Sequence, residues 1–263
     1  MGKHKNVINS AAYSSLLLMI WGLVLGCTSS ELDQRQRSFV KIFDGRSLDG
    51  WKGDSTYWRV ENGNLVGEVT PETILEANSF VIWQGGQPED FELMLEYRIS
   101  ESGNSGVNYR SNYFNDKPFA LQGYQCDIDG KKRYVGQNYE EKKRTTLAYM
   151  GEKVKIGNWN KPDSTQNLRS NVTKNCWQTR QVLSKVLAPD SLKSLIKDND
   201  WNTLRIFAKD NLLQHYVNGV LMSEVLDKDT LNRSTKGFIG MQVHVGPPMK
   251  VEFRNISLKN LID

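Results

Sequence analysis

The chain has 263 residues, and its 34 lysines and arginines slightly exceed its 30 aspartates and glutamates, which gives a formal net charge of +4. This near balance argues against nucleic acid as the main partner, because that function usually needs a strongly basic face. The length suits one large β domain, since sandwiches and barrels often reach about 200–250 residues.

The N-terminal segment predicts export. Lys3 and Lys5 precede an apolar stretch within residues 11–26, and Gly26-Cys27 then leads into a polar run. This pattern is typical of a secretory signal, and its end resembles a bacterial lipobox. The apolar stretch is short for a membrane span, which needs about 20 residues. An ordinary signal peptide or an uncleaved anchor is the alternative.

The lipobox resemblance implies cleavage before Cys27 and lipidation of that residue, and several acyl chains hold a protein on a membrane. We therefore expect a signal peptide at 1–26, a lipid-anchored tether at 27–38 and one β-sandwich domain at 39–263. The expected location is the bacterial cell envelope, on the extracytoplasmic side. Thr28 after the cysteine, rather than aspartate, favours the outer membrane.

The first half of the domain predicts short antiparallel strands. Asn62-Gly63 is a strong hairpin turn between strands at 57–61 and 64–68. Residues 91–97 alternate apolar and polar side chains, as a half-buried strand does. Further strands are expected at 106–110 and 123–129.

The second half has a polar middle and then returns to strands. Residues 157–180 predict a long surface loop, and a short helix is expected to begin at Pro189. Asn218-Gly219 predicts a second hairpin turn. The remaining predicted strands are 201–208, 212–217, 220–225, 237–245 and 249–258. About ten short strands with Gly and Asn turns indicate an all-β sandwich or jelly roll with one short helix.

Polar residues cluster on two of these strands. By alternation Asn108 and Arg110 share one strand face, with Asn104 at the start of the strand. On the next strand the same rule separates a polar face, which contains Gln125, Asp127 and Asp129, from an apolar one, which contains Tyr124, Cys126 and Ile128. The polar face meets either solvent or a ligand groove. A neighbouring Arg110 would hold the carboxylates ionised.

Three further segments carry candidate site residues. The run Tyr139-Glu140-Glu141-Lys142-Lys143-Arg144 is predicted to be a loop, which is either a solvated charge run or places a carboxylate and a cation over the groove. Gln242 and His244 share a strand face before a rigid Gly-Pro-Pro turn, where sites are often built. Trp159 and Trp177 lie in the polar loop and suit carbohydrate stacking. Cys126 and Cys176 are either a disulfide or two buried thiols.

Several motifs together resemble the 3-keto-disaccharide hydrolase domain family, over about residues 39–259. The motifs are Phe43-Asp44-Gly45-Arg46-Ser47-Leu48-Asp49-Gly50-Trp51, Gly103-Asn104-Ser105-Gly106-Val107, Gly123-Tyr124-Gln125, Asp127-Ile128-Asp129, Tyr139-Glu140-Glu141 with Arg144, Asn218-Gly219-Val220, Gln242-Val243-His244 with Gly246-Pro247-Pro248, and Val251-Glu252-Phe253-Arg254-Asn255-Ile256. The resemblance implies a concanavalin A-like jelly roll that acts on 3-oxidised glycosides. Lys143 departs from the family, which has glycine there and hence an easier positive φ.

The implied chemistry is cleavage of a 3-keto-glycoside. A ketone at C3 acidifies the C2 proton, a base removes it, the C1 substituent leaves, and water adds. We expect Asp127 or Glu141 as the base, Arg110 or Arg144 at the enolate oxygen, and His244 as the acid for the leaving group. A divalent metal ion could replace the cation.

The substrate is expected to contact polar and aromatic residues around those groups. The predicted contacts are Asn104, Asn108, Gln125, Asp129, Tyr139, Glu140, Gln242, Trp159 and Trp177. The alternative function is a non-catalytic glycan-binding module, since a fold does not determine a function. A binding module needs aromatic platforms and hydrogen-bonding groups but no acid–base pair.

Overall fold

The computed structural model describes residues 38–114, 117–158 and 179–261, and these residues form short strands and one helical turn. The strands are β1 (Val40–Lys41), β2 (Trp51–Lys52), β3 (Trp58–Glu61), β4 (Asn64–Val69), β5 (Ser79–Trp83), β6 (Phe91–Ile99), β7 (Asn104–Tyr113), β8 (Leu121–Asp129), β9 (Asn138–Glu141), β10 (Thr145–Ala148), β11 (Glu152–Ile156), β12 (Arg180–Lys185), β13 (Asn202–Lys209), β14 (Leu212–Val217), β15 (Val220–Asp227), β16 (Phe238–Val243) and β17 (Met249–Asn260). The helix α1 (Pro189–Lys193) begins with a proline in its first turn, where no amide hydrogen is needed.

The strands form two sheets. The larger, 10-stranded sheet has the order β12-β11-β15-β14-β13-β6-β17-β4-β3, with β1 also paired to β17. The smaller, 7-stranded sheet has the order β10-β9-β8-β7-β16-β5-β2. The pairing between β11 and β15 is parallel. The predicted class, an all-β jelly-roll sandwich, is confirmed.

The main core lies between the two sheets, because alternate residues of each strand face the opposite sheet. On β8 the inward residues are Tyr124, Cys126 and Ile128, all fully buried. They pack with apolar residues of the larger sheet such as Leu204 and Ile206. The alternation predicted for this strand is therefore confirmed, and Gln125 and Asp127 lie on the outer face of the smaller sheet.

Both predicted hairpin turns are present. Asn62 and Gly63 have φ values of 52° and 79°, and Asn218 and Gly219 have φ values of 49° and 79°. Positive φ at both central residues is what a two-residue type I′ turn requires, and Asn and Gly tolerate it best.

The segment 139–144 is not a loop, which corrects the prediction. Glu140 and Glu141 belong to β9, which pairs with β8, and a tight turn leads into β10. The positive φ in this turn falls on Lys142 (56°) and Thr145 (64°), not on Lys143. Lys143 therefore replaces the family glycine at a position that needs no left-handed backbone.

Several expectations fall on residues outside the described ranges. These are the signal peptide, Cys27 and its tether, Trp159, Trp177 and Cys176. Cys126 is a free, buried thiol. Within the described ranges, no helix has the length and apolar character that crossing a membrane requires.

Candidate active site

An open pocket of about 520 Å³ lies on the outer face of the smaller sheet. Its side chains come from four strands, β7, β8, β9 and β10, and from the residues just before β5 and just after β16. The lining residues are Glu76, Ala77, Asn78, Asn104, Gln125, Asp127, Tyr134, Gln137, Tyr139, Glu141, Lys142, Thr146, His244 and Val245. The pocket therefore collects carboxylates, amides, two tyrosines, a lysine and a histidine.

Asp127 is held by two amide donors. Gln125 donates its Nε2 hydrogen to Oδ1 at 2.6 Å, and Gln137 donates to Oδ2 at 2.5 Å. Gly106 lies opposite Asp127 on β7, and a Cβ atom there would lie 2.5 Å from the amide carbon of Gln125. The glycine thus leaves the space that the Gln125 side chain occupies.

The carboxyl group of Asp127 titrates close to neutrality. Burial raises its pKa from 3.8 to about 7, the hydrogen bonds from Gln125 and Gln137 oppose that rise, and the charges of Glu141 and Asp129 add to it. Desolvation disfavours the charged form of a carboxyl group, and so do nearby negative charges. A base with a pKa near the working pH is well suited to proton transfer.

Glu141 faces the same pocket and is linked to the far side of it. Asn78 donates to Glu141 Oε1 at 3.4 Å, and the backbone amide of Val245 donates to Asn78 Oδ1 at 3.0 Å. Lys142 Nζ lies 3.9 Å from Glu141 Oε1. His244 is half-buried and donates from Nδ1 to the carbonyl oxygen of Val245 at 2.5 Å. These contacts bring β5, β9 and the end of β16 together at one site.

Arg110 does not lie beside Asp127, which corrects the expectation from strand alternation. Its backbone has a φ of 45°, and the register of β7 against β8 shifts between Tyr109 and Asn112. This bulge turns the side chain away from the pocket. Arg110 is buried and donates to Asp90 Oδ1 and to the carbonyl oxygens of Glu89 and Asp210.

Arg144 and Glu140 also lie away from the pocket, in a buried group between the sheets that we call the inter-sheet cluster. It consists of Tyr124, Glu140, Arg144, Asp227 and Asp229. Arg144 donates to Glu140 at 2.5 Å, to Asp227 at 2.6 Å and to Asp229 at 3.3 Å. Because strand alternation points Glu140 and its neighbour in opposite directions, only Glu141 reaches the pocket.

Three more expected substrate contacts lie behind the pocket or beside it. Asn108 is buried and donates to Ser111, and Gln242 is buried and donates to Gln125 Oε1 at 3.1 Å. Asp129 accepts from the backbone amide of Tyr134 at 2.8 Å and shapes the turn after β8. Of the expected residues, Asn104, Gln125, Asp127, Tyr139, Glu141 and His244 line the pocket.

Sequence reasoning missed several lining residues. Asn78 and Gln137 precede strands that the sequence did not predict, so no pattern pointed to them. Lys142 was visible in the charge run, and its proximity to Glu141 follows from the turn after β9. Among the described residues, no three His, Cys, Asp or Glu side chains form a group that could hold a metal ion.

The two-sheet sandwich with a polar pocket on one outer face defines the class of protein, an all-β jelly-roll domain of the concanavalin A kind. The chain belongs to the 3-keto-alpha-glucoside-1,2-lyase-like domain family, whose model matches residues 38–259. The resemblance stated from the motifs is thus confirmed. Comparison with curated protein sequences finds no significant match.

Solved structures share the fold at low identity. Two are Parabacteroides distasonis proteins described as candidate glycosyl hydrolases, each 17% identical. One has a TM-score of 0.53 and covers 85% of this chain and 100% of its own; the other has a TM-score of 0.52 and covers 88% and 97%. A carbohydrate-binding module from Bacillus subtilis is 15% identical, with a TM-score of 0.48 and coverage of 80% and 96%.

Proposed function

We propose that this domain cleaves 3-keto-glycosides by proton abstraction at C2, β-elimination and hydration. Membership of the lyase-like family supports a carbohydrate-related role. The observation that carries the catalytic proposal is the state of Asp127. Its carboxyl group lines the pocket, is paired with amides rather than with an arginine, and has a pKa raised to about 7.

The reaction balances without an oxidant or a reductant. A base takes the C2 proton, and the C–H electrons form the C2=C3 double bond of an enolate. The enolate collapses, C3=O re-forms, a C1=C2 double bond appears and the C1–O bond breaks. The departing oxygen takes a proton from an acid. Water then adds across C1=C2, so the net result is hydrolysis.

The pocket offers a side chain for each role. We assign Asp127 as the base, with Glu141 as the alternative base. Lys142 replaces the two arginines expected at the enolate oxygen, because it is the only lysine or arginine among the described residues that line the pocket. His244 remains the candidate acid for the leaving group. A preorganised cation at a developing oxyanion is among the larger contributions to catalysis.

A glycan-binding module remains the second candidate, and one observation favours it. Tyr134 and Tyr139 line the pocket together with the amides of Asn78, Asn104 and Gln125. Aromatic faces and amides are the groups that hold a sugar ring by stacking and hydrogen bonding. Such a module would bind an unoxidised glycan and leave it intact.

The two candidates are separated by turnover. Purified protein is incubated with a 3-keto-disaccharide and with its unoxidised parent, and products are analysed. We expect cleavage of the keto sugar alone, and slower cleavage when C2 carries deuterium and proton abstraction limits the rate. Asp127→Asn should lose about 10²–10⁴-fold in rate, because removing a general base commonly costs that much. Its melting temperature should stay near that of the wild type.

The matched control is Asp198→Asn, at a carboxylate whose side chain is 76% exposed. It should retain full rate. Full activity in Asp127→Asn would overturn its assignment as the base. No cleavage of any 3-keto-glycoside by the wild type, combined with calorimetric binding of the unoxidised sugar, would establish the binding module instead.

We also propose that the protein is a lipoprotein of the cell envelope, anchored through Cys27. The support is the sequence pattern of residues 1–30, with its basic start, apolar stretch and small residue before the cysteine. Cys27→Ser should move the protein from the membrane fraction to the soluble fraction. A variant that stays with membranes after a high-salt wash would overturn the anchor.

A further inference from the structure

Three glutamines connect Asp127 to the interior of the smaller sheet. Gln125 is on β8, Gln137 is in the turn before β9 and Gln242 is on β16. Their exposed fractions are 4%, 6% and 0%. Gln242 donates to Gln125 at 3.1 Å, and Gln125 and Gln137 donate to the two oxygens of Asp127. Gln242 itself does not line the pocket, so its effect on Asp127 passes through Gln125.

The direction of these hydrogen bonds matches an ionised carboxylate. A carboxylate only accepts, so both contacting amides must present their NH₂ groups. Gln125 then turns its carbonyl oxygen towards Gln242, which meets it with an NH₂ group. This arrangement leaves the Oε1 atom of Gln242 buried and without a partner. A buried acceptor without a partner is costly, so an opposing gain must maintain the arrangement.

A protonated Asp127 would favour the opposite direction. Its hydroxyl would donate to the carbonyl oxygen of Gln125, and the Gln125 NH₂ group would turn to the Oε1 atom of Gln242. That reversal gives the Oε1 atom of Gln242 a donor, but the NH₂ group of Gln242 then loses its acceptor, the Oε1 atom of Gln125. The two directions of this row of hydrogen bonds therefore correspond to the two protonation states of Asp127, the proposed base.

The backbones of these residues are tied to their neighbours. The carbonyl oxygen of Gln242 accepts from Ser105 Oγ at 2.6 Å, and that of Gln137 accepts from His215 Nδ1 at 3.3 Å. The backbone amide of Asp127 donates to the same Gln137 oxygen at 3.3 Å. The backbones of Gln137 and Gln242 are thus held in place. The direction of the side-chain hydrogen bonds can therefore change only by rotation of the amide groups.

We infer that Gln125, Gln137 and Gln242 form an amide clamp that holds Asp127 as an oriented carboxylate, with Gln242 a positioning residue that acts through Gln125. This inference rests on the proposed function of Asp127 as the base. The clamp acts alongside the other titratable groups that face Asp127 and set its proton affinity. Those groups are Glu76, Asp129, Tyr134, Tyr139, Glu141, Lys142 and His244.

The test is a ¹³C NMR titration of the Asp127 carboxyl carbon in aspartate-labelled full chain, with the resonance assigned by its loss in Asp127→Asn. Donated hydrogen bonds favour the carboxylate, so removing them raises the titration midpoint. Gln137→Met should raise it by about one pH unit, and Gln242→Met by about half a unit. Gln84→Met is the matched control, since Gln84 bonds Tyr113 and the carbonyl oxygen of Ile82, and its midpoint should not move.

The titration needs no turnover, so it separates this inference from the proposed function. Raised midpoints in a protein that cleaves no 3-keto-glycoside would overturn the function and support the clamp. Midpoints within about 0.2 unit of the wild type in both folded variants would overturn the clamp, whatever the activity. If Gln242→Met does not fold, Gln242→Asn supplies the same measurement, because its amide is too short to reach Gln125. In active protein the acid limb of kcat/KM should move with the midpoint.

Discussion

Glu140 and Glu141 are adjacent on β9 but belong to two different polar regions. Glu140 lies in the inter-sheet cluster, where Arg144 contacts it together with Asp227 and Asp229. Glu141 lies in the pocket with Asp127, where amides replace arginine and Lys142 is 3.9 Å away. One residue step along a strand thus moves a carboxylate from an enclosed setting, where an arginine contacts it, to an open pocket, where an amide and a lysine lie near it.

The difference lies in charge compensation. Burial disfavours the charge on Arg144, but Glu140 and Asp227 outweigh it and hold the pKa of that guanidinium well above its usual range. Arg144 therefore stays charged among the carboxylates of the cluster, which fits a structural role. In the pocket burial is not compensated, and the pKa of Asp127 rises to about 7. Asp127 can therefore exchange its proton near neutral pH on the pocket side of the sheet.

The largest expected effect is the loss of stability when the inter-sheet cluster loses its arginine. Arg144→Met leaves the buried Asp227 and Asp229 without their cation and Glu140 with Lys143 alone, at 3.0 Å, and removing one partner of a buried ion pair costs about 3–5 kcal/mol. The free energy of unfolding, measured by urea denaturation, should fall by that amount. Arg59→Met is the control, because the Arg59 side chain is 43% exposed and its pairs should contribute about 1 kcal/mol or less. Equal losses in the two variants would remove the distinction between the cluster and the surface.

The adjacent glutamates give the next largest effect. Glu141→Gln should lower turnover of a 3-keto-glycoside by about 10²-fold with the melting temperature unchanged, because the side chain faces the pocket. Glu140→Gln should lower the free energy of unfolding by about 1–3 kcal/mol and leave the rate of the folded enzyme close to wild type, since it loses charge-assisted bonds to Arg144. Rates at saturating substrate and urea curves measure both. A rate loss in Glu140→Gln together with a stability loss in Glu141→Gln would contradict the division between pocket and cluster.

The smallest expected effect concerns how stability depends on pH. This dependence has opposite signs for Asp127, on the outer face of the smaller sheet, and for His215, which is buried between the sheets. Folding raises the pKa of Asp127 from 3.8 to about 7, so its contribution to stability is complete below pH 4 and is lost as the pH rises to 7. Burial lowers the pKa of His215 from 6.5 to about 4, so its contribution is complete above pH 6.5 and is lost as the pH falls to 4. Between pH 4 and 6.5 the two slopes oppose each other.

Asp127→Asn removes one of these slopes. The wild type should gain stability relative to the variant by about 1 kcal/mol for each unit of acidification between pH 7 and pH 4, since a full proton difference gives about 1.4 kcal/mol per unit. Urea midpoints across this range supply the measurement. The control Asp198→Asn should run parallel to the wild type. A pH-independent difference between wild type and Asp127→Asn would show that Asp127 titrates normally in the folded protein.

Strand alternation accounts for most of the side-chain placement that the sequence predicted correctly. Because side chains alternate with a period of two, the sequence separated Tyr124 and Cys126 from Gln125 and Asp127 correctly. The same rule misplaced Arg110, because a bulge with a left-handed residue interrupts β7 and leaves no sign in the residue pattern. A bulge moves a side chain to the other face, and one such shift removed the expected cation from the pocket.

The remaining omissions arise from contacts between distant segments. Asn78 reaches Glu141 across 63 positions of sequence, and Gln242 reaches Gln125 across 117. Such pairings depend on the strand order of the smaller sheet, in which β16 lies between β5 and β7. Local patterns indicate that strands exist but do not fix which strands become neighbours. The residues that set the environment of Asp127 were therefore beyond the reach of pattern reasoning.

The position of β17 has a consequence for how the domain acquires its structure during synthesis. This strand comes last in the chain, yet it pairs with β6 on one side and with β4 on the other, in the interior of the larger sheet. Pairings between distant segments form slowly, because the loop between them must close first. The sheet cannot be completed until residues 249–260 have emerged. A chain without these residues thus lacks the strand that joins β4 to β6 in the larger sheet.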